Sequence, residues 1–358
     1  MTNLYLDINV LQTVPPANLN RDDTGSPKTA VYGGAVRARV SSQSWKRAMR
    51  KYFKENGRLI ATRTKKVPTI LAAKLQELQP ELTPDEAMAK SKQVLEKISI
   101  KKFDDNDDTK VLLAVSPGQL TKLAEYALNH DEAEWDKKAI KQILKGDQSL
   151  DLALFGRMVA DDPELNVEAT AQVAHALSTN EITPEFDYYT AIDDLKPDDS
   201  AGASMLGDIE YNSSTLYRYA NVNVRELITD LGTEDALQGV IDFIKSFVLS
   251  MPTGKQNSFA NKTLPSYVMI AVRPDTPVNL VSAFEAPIQA KAGYMVNSIK
   301  RLEKEYQNTL DFVEQPLAQV ILTNETPMND QHVENLTALL DQVAGVLKEA
   351  VENEDDNA

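Results

Sequence analysis

Polar and apolar residues alternate at the start of the chain. Leu4, Leu6, Ile8 and Val10 fall on one side, and Asn3, Tyr5, Asp7 and Asn9 on the other. A period of two predicts a strand from Asn3 to Leu11. Pro15 to Lys28 is rich in Pro, Asn, Asp and Gly and predicts a loop. Val36 to Val40, after Gly33-Gly34, predicts a second, short strand. Then the period changes. From Ser42 to Asn56, Trp45, Ala48, Met49, Tyr52 and Phe53 recur at helical spacing, and Lys46, Arg47, Arg50, Lys51 and Lys54 fill the other face. Ser41, Ser42 and Ser44 offer capping hydroxyls, and Gly57 can close the helix.

From Leu59 to Asn180 the signal is almost wholly helical. Thr83-Pro84-Asp85-Glu86 combines an N-cap, a first-turn proline and two acids, and Ser116-Pro117 repeats the device. Asp131 can open a third helix that Gly146 ends. Strands return at Phe186 to Ile192 and Thr215 to Val224, flanking a polar stretch, Asp193 to Ser213, that predicts a long loop or exposed hairpin. Helices follow near Thr233 to Leu249, Leu280 to Ala286, Met295 to Phe312 and Asp330 to Glu352. Ser266 to Val272 and Leu317 to Leu322 predict strands, and Met251 to Pro265 a loop. This order predicts an α+β fold, an RRM-like (ferredoxin-like) sheet carrying insertions. The expected domains are residues 1–58 with 181–358 around the sheet, and a helical domain at 59–180.

Charge sharpens the picture. The 358 residues carry a net charge of −15. Yet Gly34 to Lys66 holds eleven Lys or Arg and one acid, a local +10 against −25 elsewhere. A basic island on an acidic body is the footprint expected for a polyanion. Charge alone leaves a solvated basic helix equally open. The chain has no cysteine, which excludes disulfides and thiolate metal sites and suits a reducing cytosol. His130, His175 and His332 show no ligand spacing, so no metal or cofactor is expected. No apolar run reaches eighteen residues and the first ten resemble no secretory signal. A cytoplasmic location without a membrane is the expectation.

The candidate chemistry gathers where the second strand meets the basic helix. Arg37 and Arg39 arrive on the strand, and Ser41, Ser42 and Gln43 stand at the helix start. Free amides and the helix dipole favour a phosphate there. Lys46 and Arg50 share one helix face, and Arg47 and Lys51 form a row beside them. The loop Pro252 to Ser258 offers Lys255, Gln256 and backbone amides as a second cradle. Lys137, Lys138, Lys141 and Lys145 crowd a later helix. No nucleophilic triad or nucleotide-binding glycine loop occurs.

Several ordered segments resemble one family. Leu19-Asn20-Arg21-Asp22-Asp23, Lys28, Gly33-Gly34 and the stretch Arg37 to Arg50 are similar to the start of CasC, the backbone subunit family of type I-E CRISPR Cascade complexes. Asp151 to Met158, Ala174-His175-Ala176, Tyr188 to Leu195, Tyr217 to Asn223 and Pro252 to Gln256 match it in the same order, so the likeness spans roughly residues 1–315. It implies a palm with the RRM-like sheet, a helical finger domain, and a thumb hairpin at about 193–213. It implies a helical filament of identical subunits on CRISPR RNA, with other Cascade subunits as partners, and target DNA paired through the guide in antiviral defence. Asn20, Arg21, Lys28, Arg157 and Met158 then join the RNA-binding set, Met158 as a wedge beside a base. The lysines at 137, 138, 141 and 145 lie near the target strand. Tyr188, Tyr189 and Thr190 belong to the thumb, where the family has Trp-Phe in place of the two tyrosines. The family implies no catalysis. The alternative is a metal-dependent ribonuclease, as in backbone subunits of other CRISPR types, using Asp22 or Asp23.

Overall fold

The structure is a computed structural model; it describes residues 3–100, 102–159, 162–191, 205–289, 292–325 and 332–355. Its strands, in chain order, are β1 (Tyr5–Ala17), β2 (Thr29–Tyr32), β3 (Ala35–Val40), β4 (Thr62–Thr64), β5 (Leu113–Val115), β6 (Ala171–Val173), β7 (Ala176–Ser178), β8 (Glu185–Ala191), β9 (Met205–Asn223), β10 (Tyr267–Arg273) and β11 (Ala318–Thr323). The chain divides into two compact units. Met1–Met49, Val173–Asn221 and Phe243–Ala358 form one, and Arg50–Gln172 with Val222–Asp242 the other.

The first unit is built on a sheet of order β11-β10-β1-β9-β7-β3-β2, with β6 and β8 also paired to β9. The pairs β1–β10, β10–β11, β3–β7, β7–β9 and β8–β9 are antiparallel. Strand β1 is longer than its alternation suggests and runs on through Pro15 and Pro16. Both its faces are buried: Leu6, Ile8 and Val10, but also Asp7, Asn9 and Gln12. A buried polar group needs partners, and each of these has them. Asp7 accepts from the Tyr219 hydroxyl at 2.7 Å, the Arg273 Nε at 2.8 Å and the Val278 amide at 3.0 Å. Asn9 accepts from Tyr217 at 2.7 Å, and Gln12 from Arg218 at 2.6 Å. Burial still dominates at Asp7 and pushes its pKa up to about 6.

Periodicity gives no sign that β2 and β3 form a hairpin. Its turn, Gly33-Gly34, has φ of +59° and +76°, the positive pair that a two-residue hairpin turn demands. Gly33 is also fixed by space, since a Cβ there would lie 1.6 Å from the Glu285 carbonyl oxygen. On the far side, β8 pairs with β9 from Glu185–Tyr211 to Ala191–Met205. Of the stretch 193–213, expected as a long loop or exposed hairpin, residues 205–213 belong to β9, and residues 193–204 lie outside the described residues.

In the second unit, helices Val67–Leu78, Pro84–Lys97, Pro117–Asn129 and Lys137–Lys145 enclose Leu71, Leu75, Leu95, Leu123, Trp135, Ile140 and Leu144. Thr83 and Ser116 each close a capping box, with Glu86 and Gln119. Asp131 opens only a short 3-10 turn, and Asp136 caps the following helix in its place. The expected boundaries, 59 and 180, follow the helix signal rather than the packing. Phe53 stacks on Phe155 at 6.4 Å, and Leu150 packs so close to Gly239 that a Cβ there would sit 2.6 Å from it. These contacts draw Arg50–Glu55 and Val222–Asp242 in, while β7 belongs to the sheet.

Candidate nucleic-acid interface

Residues 20–28 close into a tight loop. The Lys28 amide donates to the Asn20 carbonyl at 2.8 Å, the Asp22 amide to the Ser26 carbonyl at 2.9 Å, and Arg21 bridges Pro27. The Asn20 side chain accepts from the Ser41 amide at 2.8 Å. The loop is thereby fastened to the start of helix Ser42–Glu55. Ser41 caps that start, taking the Ser44 amide on its carbonyl at 3.0 Å. Asn20, Ser41 and Ser42 are thus chiefly framework; Ser41 and Ser42 are buried.

What the framework presents is cationic. Arg21, Gln43 and Arg47 are exposed, and Lys28, Arg39 and Lys46 half-buried. Arg39 on β3 is held from two sides. Its Nε donates to the Thr29 carbonyl at 3.0 Å, and a terminal nitrogen stands 3.1 Å from His175 Nδ1. Burial pushes the Lys46 ammonium below its usual pKa, so an anion beside it would offset a desolvation cost already incurred. Beneath the helix, Trp45 is buried against the Arg218 guanidinium, 3.7 Å from its ring centroid, and Phe247 lies 4.4 Å from the same guanidinium. Arg218 also donates to the Phe247 carbonyl. This cluster fixes the helix on the sheet, so the cations it carries have a defined place.

Arg37 is a correction. Expected at phosphate, it is fully buried, and its guanidinium donates to the carbonyls of Ser178, Thr179, Phe284 and Glu285 at 2.8–3.0 Å. Two residues apart, Arg37 and Arg39 share one face of β3. The Ser178–Thr179 and Phe284–Glu285 segments cover that face at Arg37 and leave Arg39 half-buried. The loop at Pro252 is likewise only part of the expected cradle. The amides of Gln256, Ser258 and Phe259 donate to carbonyls of its own turn, which leaves the half-buried Lys255 and Gln256 side chains. Gly254 presses on the Asn18–Leu19 backbone, and a Cβ there would come within 2.1 Å of the Leu19 oxygen. Lys255 holds a left-handed φ of 50° at the start of the short helix Gln256–Phe259.

In the second unit two expected RNA ligands are also structural. Arg50 donates to Asp151 and to the Ala61 carbonyl, both at 2.7 Å. Arg157 is 5% exposed and donates to the carbonyls of Leu165, Ala114 and Leu144 at 2.8, 3.1 and 2.8 Å. Burial pulls its pKa down to about 10. Its neighbour Met158 is the reverse, 83% exposed. Arg157→Ala removes a buried donor from the Leu165, Ala114 and Leu144 carbonyls, of which Leu144 keeps the Gln119 amide, so the chain is expected to be destabilised by about 3 kcal/mol. Urea denaturation followed by circular dichroism measures it. Of the four lysines, Lys137, Lys138 and Lys145 are exposed. Lys141 is buried between Asp162 and Glu164, at 2.6 Å from each, and is removed from the expected nucleic-acid set.

On β8, Tyr188 and Thr190 are exposed, and the Tyr189 ring lies over Gly207 of β9. Asp22, the ribonuclease candidate, is spent on its own turn. One carboxylate oxygen accepts from the Thr24 hydroxyl and amide and the Ser26 amide at 2.7, 2.9 and 3.1 Å, and the Thr24 hydroxyl foremost holds its pKa low. Asp23 is exposed beside it. Among the described residues, no cluster of three His, Cys, Asp or Glu could hold a metal ion, and no helix is long and apolar enough to cross a membrane. Apart from the family likeness at Ala174-His175-Ala176, sequence gives no signal for His175, a lone histidine. Only the pairing of β3 with β7, at Val40–Ala176, brings it to Arg39.

Comparison with known proteins places the chain in a family. No curated protein matches the sequence. A solved chain described as a CRISPR RNA-guided surveillance complex, pre-nicking, is 32% identical, with a TM-score of 0.85 over 96% of this chain and 100% of that one. A second, described as a CRISPR RNA-guided surveillance complex, is 28% identical, with a TM-score of 0.75 over 95% and 99%. The profile of CT1975-like proteins matches residues 6–350. The chain belongs to the CT1975-like family, the CasC backbone family of type I-E Cascade.

Proposed function

We propose that this chain is a non-catalytic backbone subunit that grips CRISPR RNA by its phosphates and displays the guide for pairing with target DNA. One observation carries the reading. Lys28, Arg39, Lys46 and Arg47 converge on one strand-to-helix junction of an otherwise acidic protein. Phosphate contacts supply affinity without sequence. A subunit that must accept any spacer gains from that, and base pairing then carries specificity.

In this reading the sheet unit is the RRM-like palm, the helical unit the finger domain, and the β8–β9 hairpin the thumb that meets a neighbouring copy. Lys255 and Gln256 extend the phosphate path. Met158, apolar and exposed on a segment clamped by Arg157, is placed to wedge beside a base. Lys137, Lys138 and Lys145 face the target strand. Copies of the chain and other Cascade subunits assemble on the RNA in antiviral defence.

Purification of the tagged chain from cells carrying its partner genes is the test. Small RNA of uniform length is expected to travel with it and with several other chains, and nuclease treatment is expected to release it. A nuclease-resistant self-assembly free of RNA would contradict the reading.

A further inference from the structure

We propose that His175 is part of the phosphate seat, positioning Arg39 through one ring nitrogen, offering the other to the RNA, and coupling RNA binding to proton uptake. The inference rests on the functional reading above and adds a residue and a pH response to it.

The geometry begins with the 3.1 Å approach of an Arg39 terminal nitrogen to His175 Nδ1. A guanidinium has donors only. The nitrogen facing it must therefore be the bare acceptor, and the neutral ring carries its proton on Nε2. The side chain is exposed, so this N–H is available to an oxygen of a bound strand. The backbone is pinned meanwhile, since the Ala174 amide donates to the Tyr219 carbonyl of β9 at 3.0 Å. Arg39 is itself tied to Thr29. Histidine, arginine and the β2–β3 hairpin thus form one rigid set.

The charges acting on the ring are both cationic, Arg39 from β3 and Lys28 from the segment leading into β2. Partial burial, and then these two, hold its pKa below the usual value. In the free protein the imidazole stays neutral and orients Arg39. A phosphate arriving between these groups reverses the balance. It attracts Arg39 and Lys28 and favours imidazolium, whose second N–H can then also donate. Binding takes up a proton, so affinity rises as pH falls.

The test is the affinity of the full-length chain for a short single-stranded RNA at about pH 8 and about pH 5.5, for wild type, His175→Gln and His175→Ala. Glutamine can accept from Arg39 and donate to RNA, but does not titrate. Wild type is expected to gain about tenfold at the lower pH, as one unit of pKa shift on binding gives. His175→Gln is expected to keep the affinity at the higher pH within about threefold and to show no gain at the lower. His175→Ala is expected to bind about tenfold more weakly at the higher pH and about 10²-fold more weakly at the lower, where it lacks the wild-type gain. The side chain is exposed, so neither change threatens folding, and an unchanged thermal midpoint verifies this. A wild-type pH response in His175→Gln, or full affinity in His175→Ala, overturns the inference alone. A wild-type chain that binds no RNA at either pH overturns the functional reading instead.

Discussion

The double variant K46E/R47E is expected to bind single-stranded RNA at least about 10²-fold more weakly than wild type. Each replaced cation removes a charge-assisted hydrogen bond to phosphate worth roughly 1.5–3 kcal/mol, and each new carboxylate repels the strand. The weakening is expected to be the same for unrelated spacer sequences, because phosphates carry no sequence. The salt dependence should fall with it. On a single strand, the slope of log K against log salt shrinks by about 0.7 for each phosphate the protein no longer neutralises. Fluorescence anisotropy with two unrelated RNAs over a salt series reads both quantities. An effect confined to one sequence would point to base readout. Arg47 is exposed and Lys46 half-buried on the helix surface, so folding is expected to survive.

Asp7→Ala is expected to be the most damaging single change in the sheet unit, at about 3–5 kcal/mol. It leaves the Arg273 guanidinium charged in the core without its carboxylate, and the Tyr219 hydroxyl, which still accepts from Asn221, loses its acceptor. The carboxylate also gives stability a pH dependence. Its folded pKa, about 6, lies above its ordinary value of 3.8. Between these two values the native state holds a proton that the unfolded chain gives up. Stability from this group is therefore highest below about pH 4, falls as pH rises through the window, and levels off above about pH 6. Chemical denaturation across this range measures the trend, and Asp7→Asn should flatten it. A flat wild-type profile would show that Arg273 and Tyr219 compensate for burial.

Much of the architecture is legible in the sequence because it rests on local rules. The basic helix, the capping boxes at Thr83 and Ser116, and the strands at β1, β3, β8 and β10 all follow from periodicity and cap chemistry. The failures share a cause, which is burial decided by distant chain. Alternation marks β1 as a strand but cannot reveal that Asp7, Asn9 and Gln12 meet Tyr219, Tyr217 and Arg218 from β9. Charge marks Arg37, and the family likeness marks Arg157 and Lys141, as ligands for nucleic acid, yet each is satisfied inside its own unit. A cation's sign shows in sequence; whether carbonyls and carboxylates already hold it does not. The same limit hides His175. Its role depends on a strand pairing that joins residues 136 positions apart.

The most direct measurement of the central claim is a cryo-electron microscopy map of the RNA-bearing particle at a resolution that shows phosphates. Consecutive phosphates of the transcript are expected against Lys28, Arg39, Lys46 and Arg47, with the bases turned away from that surface. A map with no nucleotide at this junction, and acidic protein surface lying over it, would contradict the claim.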